Sequence, residues 1–129
     1  MDRFERAEHA AALRCSGHNC SQAVAVAFAD LVDTPAEDLR KLAAGFGGGM
    51  GTMEATCGAL IGAGMVAGLF TGGRGAVPIA AKIQRAFAAK CGATICKDLK
   101  GIGTGKVLCP CEECVKNAVL SLCETLGIA

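Results

Sequence analysis

The sequence has no tryptophan and no tyrosine, and its only aromatic residues are five phenylalanines among 129 residues. A core built from it must be filled mainly by Ala, Val, Leu, Ile and Met, which suits closely packed helices. It also lacks an excess of either charge. Thirteen basic and twelve acidic residues are scattered along the chain for a net +1, so no basic patch is present to hold a nucleic acid. No apolar targeting segment follows Met1-Asp2-Arg3-Phe4-Glu5-Arg6, and the expected location is therefore cytoplasmic, where thiols are kept reduced. No stretch alternates apolar and polar residues with β-branched enrichment, which argues against a sheet. No repeat of solenoid length is visible either. The run between Glu54 and Arg74 carries no charge and is long enough to approach a membrane span. Thr56, Cys57 and the glycines at 58, 62, 64, 68, 72 and 73 argue against membrane insertion and for a buried central helix.

What remains is a helical pattern. The length suits one cysteine-rich domain over residues 1–129, an all-α bundle of about five to six helices with a Gly-rich central loop. The first helix is expected from Asp2 to about Cys15, with Phe4, Ala7 and Ala11 sharing a face and Gly17 as the stop. Asn19 can cap a second helix reaching about Val32, with Val24, Phe28, Leu31 and Val32 as its apolar stripe. Thr34-Pro35-Ala36-Glu37 reads as a capping box for a third helix that carries Leu39 and Leu42 and ends near Gly45. The run Gly45 to Gly51 is too rich in glycine for a helix interior and predicts residues at positive φ, with Thr52 as a cap for the next helix. That fourth helix, about Met53 to Phe70, carries Ala55, Ala59, Ala63 and Ala67 in one row and Gly58 and Gly62 in another. Those small side chains predict a core helix approached closely by its neighbours, since glycine inside a helix costs roughly 1 kcal/mol against alanine. A fifth helix is expected from Pro78 to Lys90, a short turn from Thr94 to Leu99, and a last helix from Pro110 to Leu126.

Nine cysteines are the outstanding presence, and an odd number cannot pair completely within one chain. Cys20, Cys57 and Cys109 fall at expected helix starts, where unpaired N–H groups and the dipole stabilise a thiolate and lower its pKa. Cys96 lies in the short turn. Cys109-Pro110-Cys111-Glu112-Glu113-Cys114 is the densest cluster, and Cys111 and Cys114 share a helix face as two ligands or as a disulfide pair. A thioredoxin motif would need a βαβ context, and a zinc knuckle would need two close cysteine pairs rather than dispersed ones. Dispersed ligands suit a centre held between helices, such as an iron–sulfur cluster, whose potential depends on burial and on N–H bonds to sulfur. The Gly45–Gly51 loop could be a backbone nest for an anion. It is no P-loop, because no Gly-Lys-Ser/Thr comes after it. His18 and His9 are expected at the surface or in capping roles, and Glu112 and Glu113 as complements to a helix dipole.

The residues Cys57-Gly58-Ala59-Leu60-Ile61-Gly62, with Cys20 upstream in Asn19-Cys20-Ser21-Gln22-Ala23, the Gly-rich run before Cys57, and Cys96 and Cys109 downstream, resemble the redox-active family named for its C_GCAxxG_C_C pattern. The resemblance covers nearly the whole chain, although Thr56 stands where the label has glycine and Gly58 separates Cys57 from Ala59. It implies an all-α protein in which Cys20, Cys57, Cys96 and Cys109 are the functional set. A related domain occurs in split-Soret cytochromes, which carry an iron–sulfur centre besides haem. No C-x-x-C-H is present here, so the haem is not carried over. Cys15, Cys91, Cys111, Cys114 and Cys123 lie outside that set, with Cys111 and Cys114 as secondary metal candidates and Cys123 expected to be peripheral.

Three readings of the function are open. The leading one is an iron–sulfur centre on Cys20, Cys57, Cys96 and Cys109 that passes electrons to a redox partner. The second is a metal-free thiol/disulfide protein using the same cysteines as redox thiols. The third is a carrier or sensor that uses Cys111 and Cys114 to take soft metal ions such as Cu(I). Whether the chain is an enzyme stays open. A mean hydropathy of +0.42 and the small-residue helix make a homodimer a reasonable expectation.

Overall fold

In the computed structural model, which describes residues 1–129, seven α-helices succeed one another: α1 (Arg3–Cys15), α2 (Cys20–Ala27), α3 (Ala36–Ala43), α4 (Gly58–Phe70), α5 (Ala76–Cys91), α6 (Cys96–Lys100) and α7 (Cys111–Leu126). The only extended pairing is one antiparallel bridge between Thr56 and Ile95, so the architecture is all-α. α2 and α4 pack on each other in the middle, and α7 closes the bundle against α1, α5, α4 and α2. The core is aliphatic and rich in small side chains. Ala59, Ala63, Val66 and Ala67 of α4 are fully buried, as are Val24 of α2 and Val115, Ala118, Val119 and Leu122 of α7. Of the five phenylalanines, Phe28 and Phe87 are completely enclosed, each contributing ~1.5–3 kcal/mol. α4 approaches α2 closely at Gly62, where an added Cβ would lie 2.6 Å from the Ser21 carbonyl oxygen.

The start of α2 ties the Gly-rich segment to the core. Asn19 Oδ1 accepts from the Gln22 backbone N–H and Gln22 Oε1 accepts from the Asn19 N–H, both at 2.9 Å, a reciprocal cap that satisfies two otherwise orphaned donors. The remaining amide hydrogens reach outwards, from Asn19 Nδ2 to Ala44 O at 2.9 Å and from Gln22 Nε2 to Arg40 O at 3.1 Å, and so anchor the end of α3. Gly47 makes room for this arrangement, since a Cβ there would stand 2.5 Å from Asn19 Cγ.

Several local expectations are corrected. α2 stops at Ala27 rather than Val32 and is succeeded by a 3-10 turn over Ala29–Leu31, with Leu31 turned toward solvent. The Thr34 capping box does not form: Pro35 is itself the cap residue of α3, with no side-chain hydrogen bond. Phe4 and Leu42 are 66% and 62% exposed, so neither joins the core face that periodicity assigned it. α4 begins at Gly58, five residues later than expected, because residues 49–53 form a separate turn and Thr52 Oγ1 accepts from Glu54 N at 3.2 Å instead of capping the helix. α5 begins two residues early, at Ala76, and Pro110 is the cap of α7 rather than its first residue.

One buried charge holds the α1–α2 contact. Arg6, 3% exposed, donates to Ala27 O at 2.7 Å and to both carboxylate oxygens of Asp30 at 2.6 and 3.1 Å, and its guanidinium lies 5.0 Å from the Phe28 ring centroid. Arg6→Ala leaves the Ala27 carbonyl unpaired, and a loss of about 2–3 kcal/mol is expected in urea unfolding. The guanidinium hydrogen-bonded to Asp30 holds its carboxyl below the usual range despite partial burial. A depressed folded pKa contributes stability above the unfolded pKa of about 4 that is lost as the pH falls through the folded value. Because Asp30 is 58% exposed, that contribution is at most about 1 kcal/mol. Asp30→Asn should flatten this acid limb without moving the neutral-pH plateau by more.

Candidate metal-thiolate centre

The backbone brings distant cysteines together by three devices. The Thr56–Ile95 bridge aligns the residues that precede Cys57 and Cys96. Around it the Cys57 N–H donates to Thr94 O at 2.8 Å and the Cys96 N–H to Ala55 O at 3.0 Å. Glycine supplies the second device. At Gly58 a Cβ would sit 2.6 Å from both Cys20 Sγ and Phe46 O, and at Gly49 one would sit 2.9 Å from Cys96 Cβ, so both cysteines pack directly on backbone. The third is a left-handed run: Gly48, Gly49, Met50 and Gly51 have φ of +61°, +59°, +58° and +79°, and Met53 has +64°. Positive φ at two methionines is uncommon, and such strain persists where the surroundings fix it. The run turns the Gly48 N–H toward the Cys20 sulfur, which the Ser21 N–H also faces, while the Ala59 N–H faces Cys57.

Cys20, Cys57, Cys96 and Cys109 are all buried, at 6%, 1%, 4% and 3% exposure. Cys20 and Cys96 open α2 and α6, and Cys57 is the cap residue of α4. Cys57 adjoins both Cys20 and Cys114. Cys96 lies in the electrostatic field of Cys20 and Cys111. Cys109 turns elsewhere: its sulfur is 3.4 Å from Cys91 Sγ, and Cys91, Cys109 and Cys114 form a group whose sulfurs all lie within 4.8 Å of one another. These three buried thiols can hold a metal ion. Asn117 Nδ2 lies 3.2 Å from Cys91 Sγ and 3.9 Å from Cys109 Sγ, and the half-buried Lys100 Nζ donates to Cys114 Sγ at 3.3 Å and to Cys109 O at 3.2 Å.

Sequence reasoning missed Cys91, Lys100 and Asn117. The only signal for Cys91 was its place as the last residue of a helix stopped by Gly92, which does not reveal what the helix end meets. Cys123, expected to be peripheral, is completely buried in the main core. His9 and His18 join no group of potential ligands. Cys15 is exposed, with its thiol 3.4 Å from Glu112 Oε1.

The expected lowering of the thiol pKa values is reversed. The neighbouring Cys57 thiol and burial push Cys20 up, against the N–H groups of Gly48 and Ser21. Contact with Cys114 is the largest influence on Cys57, which is pushed up to about 12. Burial and then Cys114 push Cys109 up to about 11, and burial raises Cys96 although Lys100 opposes it. A helix start favours a thiolate, but removing the sulfur from water and setting it beside another sulfur costs more. Without a cation these groups are protonated thiols at neutral pH and weak nucleophiles. A bound cation inverts that balance and displaces their protons.

Together the fold and site define an all-α protein whose separate helices bring cysteine thiols into a buried, metal-competent group. Residues 18–125 match the family described as "Putative redox-active protein (C_GCAxxG_C_C)", and the chain belongs to that family. No curated protein and no solved structure compared with it gives a match. No helix is long and apolar enough to cross a membrane.

Proposed function

We propose that this chain is an electron-transfer protein whose centre is an iron–sulfur cluster held by Cys20, Cys57, Cys96 and a fourth thiolate at the start of α7. One observation carries the reading: the antiparallel Thr56–Ile95 bridge fixes Cys57 opposite Thr94 and Cys96 opposite Ala55, two diagonal positions of one pairing, while the Gly48 N–H of the left-handed loop faces Cys20. Backbone N–H groups thus face the sulfurs of Cys20 and Cys57. A cluster interposes several atoms between its thiolates, so its ligands stand further apart than those of one ion. Cys20 adjoins Cys57, but none of Cys20, Cys57 and Cys96 joins a trio of thiols within 4.8 Å of one another, so the set as a whole is wider than the shell of one ion. When bound, the cluster would store and release one electron. The chain's own contribution is to hold the thiolates, exclude water and aim the N–H groups of Gly48, Ser21 and Ala59 at sulfur, which stabilises the more negative reduced form and raises the potential. For the fourth ligand the geometry favours Cys111, in the field of Cys96, over Cys109, which faces Cys91 and Cys114. The raised thiol pKa values count against the metal-free reading, since an attacking cysteine needs its thiolate.

The reading calls for a redox partner and suits the reducing cytoplasm. For a homodimer, the groove lined by Leu39, Leu42, Phe46, Met65 and Leu69 offers an apolar face. Anaerobic purification with visible absorption, iron and sulfide assays tests the centre. Broad visible bands that bleach reversibly on reduction, with iron and sulfide in stoichiometric amounts, are expected. Cys111→Ser should lose them and Cys109→Ser should keep them. A colourless protein without sulfide after reconstitution with iron and sulfide removes the proposal.

A further inference from the structure

Cys114 adjoins Cys57, but among all the thiols only Cys91, Cys109 and Cys114 have every pair of sulfurs within 4.8 Å. We propose that they form a second site that takes a single Cu(I) ion in three-thiolate coordination. Ligand type comes first. All three donors are sulfur, and soft thiolates select Cu(I), Zn or iron–sulfur centres over harder ions. Ligand number decides among these. The neighbouring polar groups, Asn117 Nδ2 and Lys100 Nζ, present N–H rather than a lone pair, and no histidine or carboxylate joins the group. The three residues are only 4%, 3% and 0% exposed, so their sulfurs are largely screened from solvent. Cys57 adjoins Cys114 but lies outside the group, so zinc, which takes four ligands in a closed protein site, would be left one short, whereas Cu(I) is satisfied by three.

Spacing agrees. An ion bound by three sulfurs at ~2.3 Å in a plane needs them roughly 4.0 Å apart. The Cys91–Cys109 separation is 3.4 Å, and the other two pairs lie within 4.8 Å. The surroundings are arranged for thiolates as well. Asn117 serves Cys91 and Cys109 while Lys100 serves Cys114, so each of the three sulfurs already has an N–H neighbour. The ligands come from the end of α5, the segment before α7 and the first turn of α7, and binding would therefore pin α5 to α7.

The test uses the full chain, reduced and kept anaerobic, titrated with Cu(I) against a chromophoric Cu(I) chelator. One equivalent should be withheld from the chelator, with near-ultraviolet thiolate-to-copper absorption and three sulfurs around copper by X-ray absorption. Cys91→Ser should lose that equivalent. Asn117→Ala, which removes only the N–H neighbour, should weaken it about 10–100-fold, as loss of an outer-shell partner does. Iron and sulfide content should be the same in both variants as in the unaltered protein, so failure at this site is read separately from failure of the cluster. Wild-type Cu(I) affinity in either variant, two or four sulfurs around copper, or no Cu(I) withheld by the unaltered chain would overturn the proposal.

Discussion

Cys57→Ser is expected to remove the visible chromophore, with its iron and sulfide, while the helices stay formed. The two halves of that result come from one position. Cys57 is the cap residue of α4, and its side chain makes no capping hydrogen bond. Serine is among the preferred cap residues, because its hydroxyl accepts from the backbone N–H groups in the first turn. The substitution therefore deletes a ligand at the middle of the sulfur array, between Cys20 and Cys114, and at the same time supplies a cap worth about 1 kcal/mol. A small hydroxyl at a site 1% exposed offsets part of that gain, so the net change in stability should stay within about 1 kcal/mol. Far-ultraviolet circular dichroism reads the helices, and iron and sulfide assays read the centre. Full chromophore in the serine variant would take Cys57 out of the ligand set. Loss of helix together with colour would make its role structural.

How much of this was legible depends on how local the cause is. The cap at Asn19 can be read from the chain, because both partners, Asn19 and Gln22, lie within one turn. The row Ala59, Ala63 and Ala67 is likewise visible as a helix surface that must be buried, and it is. Phe4 and Leu42 show where periodicity fails: an apolar residue at the right spacing is buried only if another element covers it, and here none does. The late start of α4 was hidden because the turn at 49–53 uses left-handed methionines, a conformation that side chains disfavour and only the surrounding fold enforces. Cys91 was hidden for a different reason. Its partners are 18 and 23 residues away across a loop, and nothing near it in the chain announces Cys109, Cys114 or Asn117. The thiol pKa values failed for the same cause. The helix start that lowers them is a local signal, while the burial and neighbouring sulfurs that raise them are products of tertiary packing.

Two glycines of α4, Gly62 in the row expected to meet a neighbouring helix and Gly64 outside it, should respond in opposite directions to alanine. Both are helix-interior positions where alanine is intrinsically better by roughly 0.5–1 kcal/mol. At Gly64 an added Cβ meets nothing within 4 Å, so Gly64→Ala should be stabilising by about that amount. At Gly62 the same atom would lie 2.6 Å from Ser21 O and 3.2 Å from Val24 Cβ. The first of these is backbone, which no rotamer change can clear, so α2 and α4 must separate. Overpacking of this kind costs about 1–3 kcal/mol, more than the propensity gain, and Gly62→Ala should be destabilising. For a chain of this size each kcal/mol is roughly 3–5 °C in thermal midpoint. The chemistry gives a second readout. Ser21 is next to Cys20 in the chain, so displacing Ser21 drags the Cys20 sulfur away from the Gly48 N–H and from Cys57. Gly62→Ala should therefore hold less iron and sulfide than Gly64→Ala at temperatures where both are folded. Equal cofactor content in the two would mean that the close α2–α4 contact serves packing alone.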